Sequence, residues 1–153
     1  MKTIKELLNA KGDGPVYSVA PDATVFEAVT NMVEHRVGAM LVKDGETIAG
    51  IVTERDYLRF IAVKGRTARD TPVREIMTPR VIYVTPDTDL GEVMAIMTAQ
   101  RIRHVPVMDN ERLLGIVSIG DVVKQISKDQ KVQIRTLEEY ISDVYPGPAP
   151  AAD

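Results

Sequence analysis

The chain lacks cysteine and tryptophan, and its 153 residues include only two histidines and two phenylalanines. Without cysteine there is no disulfide scaffold, no cysteine-ligated zinc or iron–sulfur cluster and no thiol nucleophile. No stretch approaches the ~20 consecutive apolar residues that span a bilayer, and the N-terminal sequence MKTIKELLNAKG lacks the unbroken apolar segment of a signal peptide. We therefore expect a cytoplasmic protein with no membrane association.

The remaining composition is that of an ordinary globular domain. Hydrophobic residues make up 44% and charged residues 27% of the chain, and a fold of this length buries roughly two-thirds of its unfolded surface without a metal or a crosslink. The net charge of −3 and the isoelectric point of about 5.4 oppose binding to nucleic acid or acidic membranes. The few aromatic residues lie mostly within apolar runs and offer no basic stacking platform for nucleic acid.

The chain contains an internal repeat. A shift of 65 residues superimposes Val16–Asp56 on Val81–Asp121 without a gap. The sequence IKELL at Ile4–Leu8 also resembles VREIM at Val73–Met77, so a short helix precedes each copy. The chain is therefore a duplicated unit. Identical pairs include Val19/Val84, Pro21/Pro86, Asp22/Asp87, Glu27/Glu92, Met32/Met97, Arg36/Arg101, Val42/Val107, Gly50/Gly115 and Asp56/Asp121.

Each copy has the same order of predicted elements. In the first copy a strand at Val16–Val19 precedes a helix that opens with Thr24 and Glu27 at capping-box spacing. A hairpin around Asp44-Gly45 and a second helix after Thr53 complete a β-α-β-β-α order. The counterparts in the second copy are Val81–Val84, Asp89 with Glu92, Asp109-Asn110 and Ser118.

One copy alone would leave an apolar sheet face uncovered. We therefore predict a mixed α/β fold, of the α+β type, in which two pseudo-symmetric units pack sheet to sheet as one module. The predicted boundaries are 1–64 for the first unit with its N-terminal helix and 65–128 for the second. A C-terminal helical extension is expected at 129–145, and a disordered tail at 146–153.

Each copy ends its hairpin with a motif that joins a hydroxyl to an aspartate: GIVTERD at Gly50–Asp56 and GIVSIGD at Gly115–Asp121. A purely structural interpretation is available, because Thr or Ser is a good N-cap and an acidic N3 residue can complete a capping box. Two details favour a ligand site instead. A capping box prefers the longer Glu or Gln at N3, and a glycine inside a strand indicates a close approach by another group. Both interpretations stay open at this point.

The functional interpretation follows from what such a helix start can bind. Exposed amide groups and a hydroxyl attract phosphate, whereas a carboxylate accepts hydrogen bonds from the vicinal diol of a ribose. Together they indicate a nucleotide. The strands at Val16, Tyr17, Val81 and Ile82 are candidates for an apolar slot that receives the base.

The doubled unit resembles tandem cystathionine-β-synthase-type (CBS) domains, a pair also called a Bateman module. The resemblance covers roughly residues 3–128 and is carried by VREIMTP, by RIRHVPVMD at Arg101–Asp109 and by the two motifs above. It implies a disc-like homodimer whose clefts bind adenosine-containing ligands such as AMP, ADP, ATP, NAD or S-adenosylmethionine. It also implies that Asp56 and Asp121 hold ribose. Phosphate would be approached by Thr53 and Ser118, and by Arg103 and His104 in the second site.

The two copies differ in where their cations lie. Arg103-His104 aligns with Gly38-Ala39, and Arg55 aligns with Gly120. Because phosphate affinity depends on the surrounding charge, we predict two nucleotide sites of unequal preference. The full set of candidate nucleotide-binding residues is Val16, Tyr17, Gly38, Ala39, Thr53, Arg55, Asp56, Val81, Ile82, Arg103, His104, Pro106, Ser118 and Asp121. His35 aligns with Gln100 on a charged helix face and is expected to be solvated.

The sequence favours a regulatory protein over an enzyme. It shows no Ser-His-Asp set, no metal-spaced cluster of His and Asp and no P-loop, so we expect a non-catalytic, homodimeric sensor that passes the adenine-nucleotide state to an unknown effector protein. The alternative is a structural or nucleic-acid-interacting CBS module without a physiological nucleotide. The helix faces expected to form the dimer carry Tyr57, Phe60, Ile61, Val122, Val123 and Ile126.

Overall fold

The computed structural model describes residues 2–12, 14–130 and residue 141. The chain divides into a first unit, Pro15–Ile82, and a second unit, Met1–Gly14 together with Tyr83–Asp153. Of the predicted extension at 129–145, only residues 129, 130 and 141 are described, and the predicted tail at 146–153 lies outside the described residues. Within the described ranges no helix has both the length and the apolar character needed to cross a membrane.

The first copy follows the predicted order completely, and the second follows it except for its first strand. Along the chain the elements are α1 (Ile4–Lys11), β1 (Ser18–Val19), α2 (Val25–His35), β2 (Ala39–Asp44), β3 (Thr47–Thr53), α3 (Glu54–Asp56), α4 (Leu90–Gln100), β4 (His104–Asp109), β5 (Arg112–Ser118) and α5 (Ile119–Gln130). A π-helical segment, Tyr57–Val63, continues α3, and a 3₁₀ turn, Val73–Glu75, lies between the two copies. The mixed α/β fold is thus confirmed, and so is the β-α-β-β-α order of the first copy.

Each unit has a small sheet. In the first unit β1 is parallel to β2, and β2 is antiparallel to β3. In the second unit β4 and β5 form the antiparallel pair, and an isolated parallel bridge from Val84 to Val107 takes the place of the first strand. The predicted strands at Val16–Val19 and Val81–Val84 are therefore shorter than expected. Both hairpins carry a register shift at the same place, after Val42 and after Val107.

The first helix of each copy is capped differently. Thr24 and Glu27 form the predicted reciprocal capping box at the start of α2. The matching prediction for Asp89 and Glu92 was wrong, because the Asp89 carboxylate accepts from the Gly91 N–H at 2.8 Å and so caps α4 two residues on. Both helices end on an arginine with left-handed backbone, a conformation that usually selects glycine.

The hairpin turns lie one residue later than predicted. The closing pairs are Asp44 with Thr47 and Asp109 with Arg112, which leaves Gly45-Glu46 and Asn110-Glu111 as the two-residue loops. Both residues of the second loop have positive φ, as a type I′ turn requires, whereas in the first loop only Gly45 does. The Asp residues end the strands and do not enter the turn.

The short helix that precedes each copy in sequence packs in the unit of the other copy. Ile4 and Leu7 of α1 lie in the apolar core of the second unit, and Val73 and Ile76 lie in the core of the first. The predicted boundaries, 1–64 and 65–128, follow the repeats and differ from these packed units. The packed units differ from the repeats because an amphipathic segment, whether the helix α1 or the 3₁₀ turn Val73–Glu75, buries its apolar side chains against the open sheet that it reaches.

Equivalent backbone hydrogen bonds attach the two preceding segments. Ile4 donates to the Thr88 carbonyl and Leu90 to the Lys2 carbonyl, both at 3.0 Å. Val73 donates to the Ala23 carbonyl and Val25 to the Thr71 carbonyl, both at 2.8 Å. After the shift of 65 residues Ala23 corresponds to Thr88 and Val25 to Leu90. The same short ladder therefore joins each segment to the start of the first helix in its unit.

The glycines before the two motifs are approached by the chain itself. A Cβ atom on Gly50 would lie 2.7 Å from the Thr78 carbonyl oxygen and 2.8 Å from the Met77 sulfur, whereas a Cβ on Gly115 would lie 3.4 Å from Leu8 Cδ2. The close approach expected from the sequence is present, but it is internal packing and does not itself indicate a ligand.

We expect Gly50→Ala and Gly115→Ala to differ in stability. The first substitution forces a methyl group against backbone and should lower the free energy of unfolding by about 1–3 kcal/mol, as overpacking does. The second meets only the end of a leucine side chain and should change the same free energy by less than about 1 kcal/mol. Urea unfolding of both variants measures the difference. Equal loss in both would show that the Thr78 contact does not constrain β3.

Candidate functional site

The first candidate corner consists of Gly38, Ala39 and the segment Thr53–Asp56. The Thr53 N–H donates to Asp56 Oδ2 at 2.9 Å, the Thr53 hydroxyl donates to the same oxygen at 3.2 Å, and the Asp56 N–H donates back to the hydroxyl at 3.4 Å. Asp56 is only 7% exposed. The carboxylate is thus held at the helix start with one oxygen committed to the cap.

The second candidate corner consists of Arg103, His104 and the segment Ser118–Asp121. The Ser118 N–H donates to Asp121 Oδ2 at 2.9 Å, and the Asp121 N–H donates to the Ser118 hydroxyl at 3.1 Å. The Asp121 side chain is 26% exposed, more than the whole of Asp56. The two corners therefore share one geometry, but their carboxylates differ in access.

The reciprocal cap forms with aspartate in both corners. The preference of capping boxes for Glu or Gln therefore gave no evidence against a cap here, and the structural interpretation of the motif holds. The cap does not by itself exclude a ligand, because a carboxylate has about four lone-pair sites and the cap uses one oxygen. It fixes the direction of the carboxylate, which is the preorganisation that a binding group needs.

Strand pairing places further predicted residues beside each motif. Ala39 pairs with Thr53 across β2 and β3, and the Gly38 carbonyl accepts from the Glu54 N–H at 3.1 Å. The equivalent register in the second corner pairs His104 with Ser118 and joins the Arg103 carbonyl to the Ile119 N–H at 2.9 Å. The structure thus brings Gly38 and Ala39 to the first motif and Arg103 and His104 to the second.

The residues expected to hold the base lie in less regular backbone. Val16 and Tyr17 precede β1, and Val81 and Ile82 lie in coil. Tyr17 is stacked on His35, with ring centroids 3.8 Å apart and an interplanar angle of 11°. His35 is exposed, as expected, and one face of its ring is covered by Tyr17.

Pro106 and Arg55 occupy different surroundings. Pro106 is buried within β4, where its carbonyl accepts from the Val84 N–H at 3.0 Å. Arg55 is exposed and its charge acts on Asp56, whose pKa it lowers less than the cap does. The roles of these residues and of the apolar slot stay predictions.

A cation that the sequence did not single out contacts the second corner. The Lys11 ammonium, at the end of α1, lies 3.0 Å from Asp121 Oδ2 and also donates to the Ile116 carbonyl at 3.2 Å. The repeat gave no signal for this contact, because α1 precedes the first copy in sequence and packs with the second. Lys11 thus shares Oδ2 of Asp121 with the cap.

The two aspartates have opposite electrostatic settings. Burial raises the pKa of Asp56, and the hydrogen bonds from Thr53 and the charges of Arg59 and Arg55 only partly offset it. Burial also acts to raise the pKa of Asp121, but hydrogen bonds from Ser118 and the Lys11 ammonium outweigh it, so the pKa of Asp121 lies below its usual value. Among the described residues no group of three or more His, Cys, Asp or Glu side chains is placed to hold a metal ion.

These opposite pKa shifts predict opposite responses to Asp→Asn, which keeps a cap acceptor and removes the charge. A lowered pKa stabilises the fold above the unfolded-state pKa, and this stabilisation is lost as the pH falls through the folded-state pKa. Asp121→Asn should therefore reduce stability at pH 7, by up to about 1 kcal/mol for a partly exposed pair, and the reduction should shrink as the pH falls below the usual aspartate pKa. A raised pKa opposes folding at pH 7, so Asp56→Asn should raise the melting temperature there. Thermal melts from pH 3 to pH 7 test both, and a loss of stability in Asp56→Asn at pH 7 would contradict the assignment.

Comparisons with known proteins identify the family of this chain. The sequence profile of the CBS domain matches residues 4–63 and 73–128. The chain is 43% identical over 151 residues to the CBS domain-containing protein CBSX3, mitochondrial, of Arabidopsis thaliana, and the alignment covers 94% of this chain and 73% of that protein. A solved structure of a protein with CBS domains from Burkholderia ambifaria MC40-6 is 44% identical, with a TM-score of 0.83 over 87% of this chain and 99% of that one.

The CBS domain pair of protein MJ0100 shares the fold at 24% identity, with a TM-score of 0.73 over 84% of this chain and 98% of that one. The family profile covers both copies of the repeat, and the preceding helices, the two hairpins and the two capped corners recur in each. The protein therefore belongs to the CBS domain family and carries two CBS domains in tandem.

Proposed function

We propose that this CBS pair is a non-catalytic regulatory module that binds an adenine nucleotide, AMP, ADP, ATP or NAD, at its two corners. The observation that carries the proposal is the repeated geometry of a helix start, a hydroxyl and an oriented carboxylate, present at Thr53–Asp56 and again at Ser118–Asp121. A regulatory role follows from CBS membership, and the nucleotide follows from the chemistry of the corners.

Each group in a corner has one task in this proposal. The carboxylate of Asp56 or Asp121 accepts hydrogen bonds from the two hydroxyls of the ribose, with the cap holding it in place. The hydroxyl of Thr53 or Ser118 faces the phosphate, helped in the second corner by Arg103 and His104. Since charge-assisted bonds to phosphate are roughly twice as strong as neutral ones, the second corner favours the more highly charged nucleotides.

The two carboxylates proposed to bind ribose differ in burial and in their charged partners. Asp56 is almost fully buried, whereas Asp121 is more accessible but already paired with Lys11. A ligand must therefore open the first corner, and in the second it shares the carboxylate with an ammonium. This difference supports two sites of unequal affinity.

The ligand panel for a test follows from the relatives. The MJ0100 pair was solved in complex with 5′-methylthioadenosine and S-adenosyl-L-methionine. These two compounds share the adenosine core and belong beside the four nucleotides. The Arabidopsis relative is named as mitochondrial, so the compartment of this chain stays a prediction, as does the effector protein that reads the bound state.

A homodimer completes the proposal, with its interface on an apolar groove of the first unit. The groove has a volume of about 500 Å³ and lies between α2 and the helix that begins at Glu54. It exposes Val33 by 72% and Leu58 by 57%, large apolar side chains that favour a partner surface. Arg36 and Glu54 also line it, so two copies related by a two-fold axis can pair opposite charges.

The structure changes which residues are available for such an interface. Of the faces expected from the sequence, Ile61 and Val122 are buried in their own unit, and Tyr57, Phe60 and Ile126 pack against the cores. The exposed candidates are Val33 and Leu58 instead. Ile61 and Val122 therefore offer no surface to a second copy, whereas the dimer role of the other expected residues stays a prediction.

Ligand-dependent melting tests the nucleotide sites. A ligand at 100 times its dissociation constant should add about 2.7 kcal/mol to the free energy of unfolding, a shift of several degrees. The double variant Asp56→Asn, Asp121→Asn keeps a cap acceptor and should lose most of that shift, because the single amide oxygen is used by the cap and an NH2 donor replaces the oxygen that would accept from the diol.

The matched control is Glu27→Gln, which alters the acidic member of a capping box outside the corners. It should melt with the same ligand shift as the unmodified protein. If no compound of the panel raises the melting temperature, or if the control loses the shift as completely as the double variant, the nucleotide proposal fails and the structural CBS module without a nucleotide is favoured.

The dimer is tested by the double variant Val33→Asp, Leu58→Asp. Because both side chains are exposed, the monomer fold should be retained, while a charge in an apolar interface should weaken association by several kcal/mol. Light scattering at micromolar concentration should change from dimer to monomer. If the variant keeps the mass of a dimer, the interface lies elsewhere. If the unmodified protein is already monomeric, the homodimer proposal is wrong.

A further inference from the structure

A second, polar cavity lies in the second unit between α1 and α5. It is lined by Leu7, Ala10, Lys11, Asp121, Lys124, Gln125 and Lys128 and has a volume of about 60 Å³. One water needs roughly 10–15 Å³ of such space, so the cavity holds a group the size of one phosphate but not a nucleoside. We call it the lysine pocket.

The charge around the lysine pocket is strongly positive. Three ammonium groups face one carboxylate, and that carboxylate is already bonded to Lys11. Among the described residues neither Lys124 nor Lys128 forms an ion pair. They lie four residues apart on one helix face, where like charges destabilise a helix. An anion in the pocket would relieve this repulsion.

Gln125 adds a neutral polar group to the lining of the pocket. The residue is only 7% exposed, so its side chain is held in place beside the lysines. The Gln125 amide can donate to an oxyanion between the lysines.

The duplicate copy shows that the fold does not need these polar residues. The first copy has Phe60, Ala62 and Val63 at the positions of Gln125, Ser127 and Lys128, and Phe60 packs against the apolar core of its unit. The second copy has therefore replaced apolar residues with polar ones along the face that lines the pocket.

We propose that the lysine pocket binds a phosphate group through Lys11, Lys124, Lys128 and Gln125. The group is either free inorganic phosphate or a terminal phosphate of a nucleotide whose ribose is held by Asp121. In the second case the inference rests on the proposed function. In both cases Lys11 links the two sites, since it bonds to Asp121 and lines the pocket.

The probe is inorganic phosphate, and the reporter is the side-chain amide of Gln125 in two-dimensional ¹H–¹⁵N NMR spectra of the whole protein. The amide signal should shift in a saturable way as phosphate is added. Lys124→Gln with Lys128→Gln should weaken binding at least about tenfold, because each charge-assisted bond contributes strongly. Both lysines are exposed, and glutamine is a comparable helix former, so the fold is retained.

The matched control is Lys5→Gln with Arg112→Gln, which removes the same charge from exposed positions of the same unit outside the pocket. It should change the affinity less than about twofold, the effect expected of screened surface charge. Equal weakening in both variants, or a shift that never saturates, would overturn the proposal.

Nucleotide titrations separate the two sources of phosphate. If the nucleotide supplies the group, ADP or ATP moves the Gln125 amide while adenosine does not, and the lysine variant weakens ADP or ATP but leaves adenosine unchanged. If free phosphate is the ligand, the amide shifts equally with and without AMP. A response to phosphate with no response to any adenosine compound would keep the pocket and reject the nucleotide proposal. If neither phosphate nor nucleotides move the amide, the pocket is rejected.

A second variant gives a test through stability. Gln125→Met removes the amide from the pocket and keeps a side chain of similar length. It should reduce the rise in melting temperature that phosphate produces at equal ionic strength. An unchanged response to phosphate in this variant would show that Gln125 does not contact the anion.

Discussion

The burial of two short apolar stripes determines the organisation of this protein. Ile4 and Leu7 cover the core of the second unit, and Val73 and Ile76 cover the core of the first. Each of these segments precedes the repeat whose unit it does not join. At roughly 25 cal/mol per Å² of apolar surface removed from water, two fully buried side chains on each segment provide a substantial reason for this exchange. It also carries Lys11 to Asp121, so the asymmetry of the candidate sites depends on it.

Much of the fold could be predicted because hydrophobic period and turn chemistry are local signals. The gapless repeat identified the duplicated unit, and the β-α-β-β-α order was confirmed in the first copy and, apart from its first strand, in the second. The errors arose where two local solutions have similar free energy. Asp89 caps through the amide two residues on instead of three, and each hairpin places its aspartate in the closing pair and not in the turn.

The candidate site was predictable only in part, for a different reason. Strand register brings Ala39 to Thr53 and His104 to Ser118, and the aligned motifs already suggested that proximity. The Lys11 contact with Asp121 joins residues 110 positions apart, and no pattern in a single sequence specifies which sheet a preceding helix covers. Likewise, the place of Gln125 among three lysines is recognisable only when its burial and the lining of the pocket are known together.

The matched irregularities of the two hairpins also bear on the history of the molecule. Both hairpins shift register after equivalent valines, Val42 in the first copy and Val107 in the second. In addition, α2 and α4 both end on an arginine with left-handed backbone. Because side chains alternate between the two faces of a sheet, removing this register shift from one copy would move the remaining side chains of that strand to the opposite face. A half-length ancestor that already had the register shift and the left-handed arginine accounts for their presence in both copies. The copies then diverged by exchanging side chains on an inherited backbone.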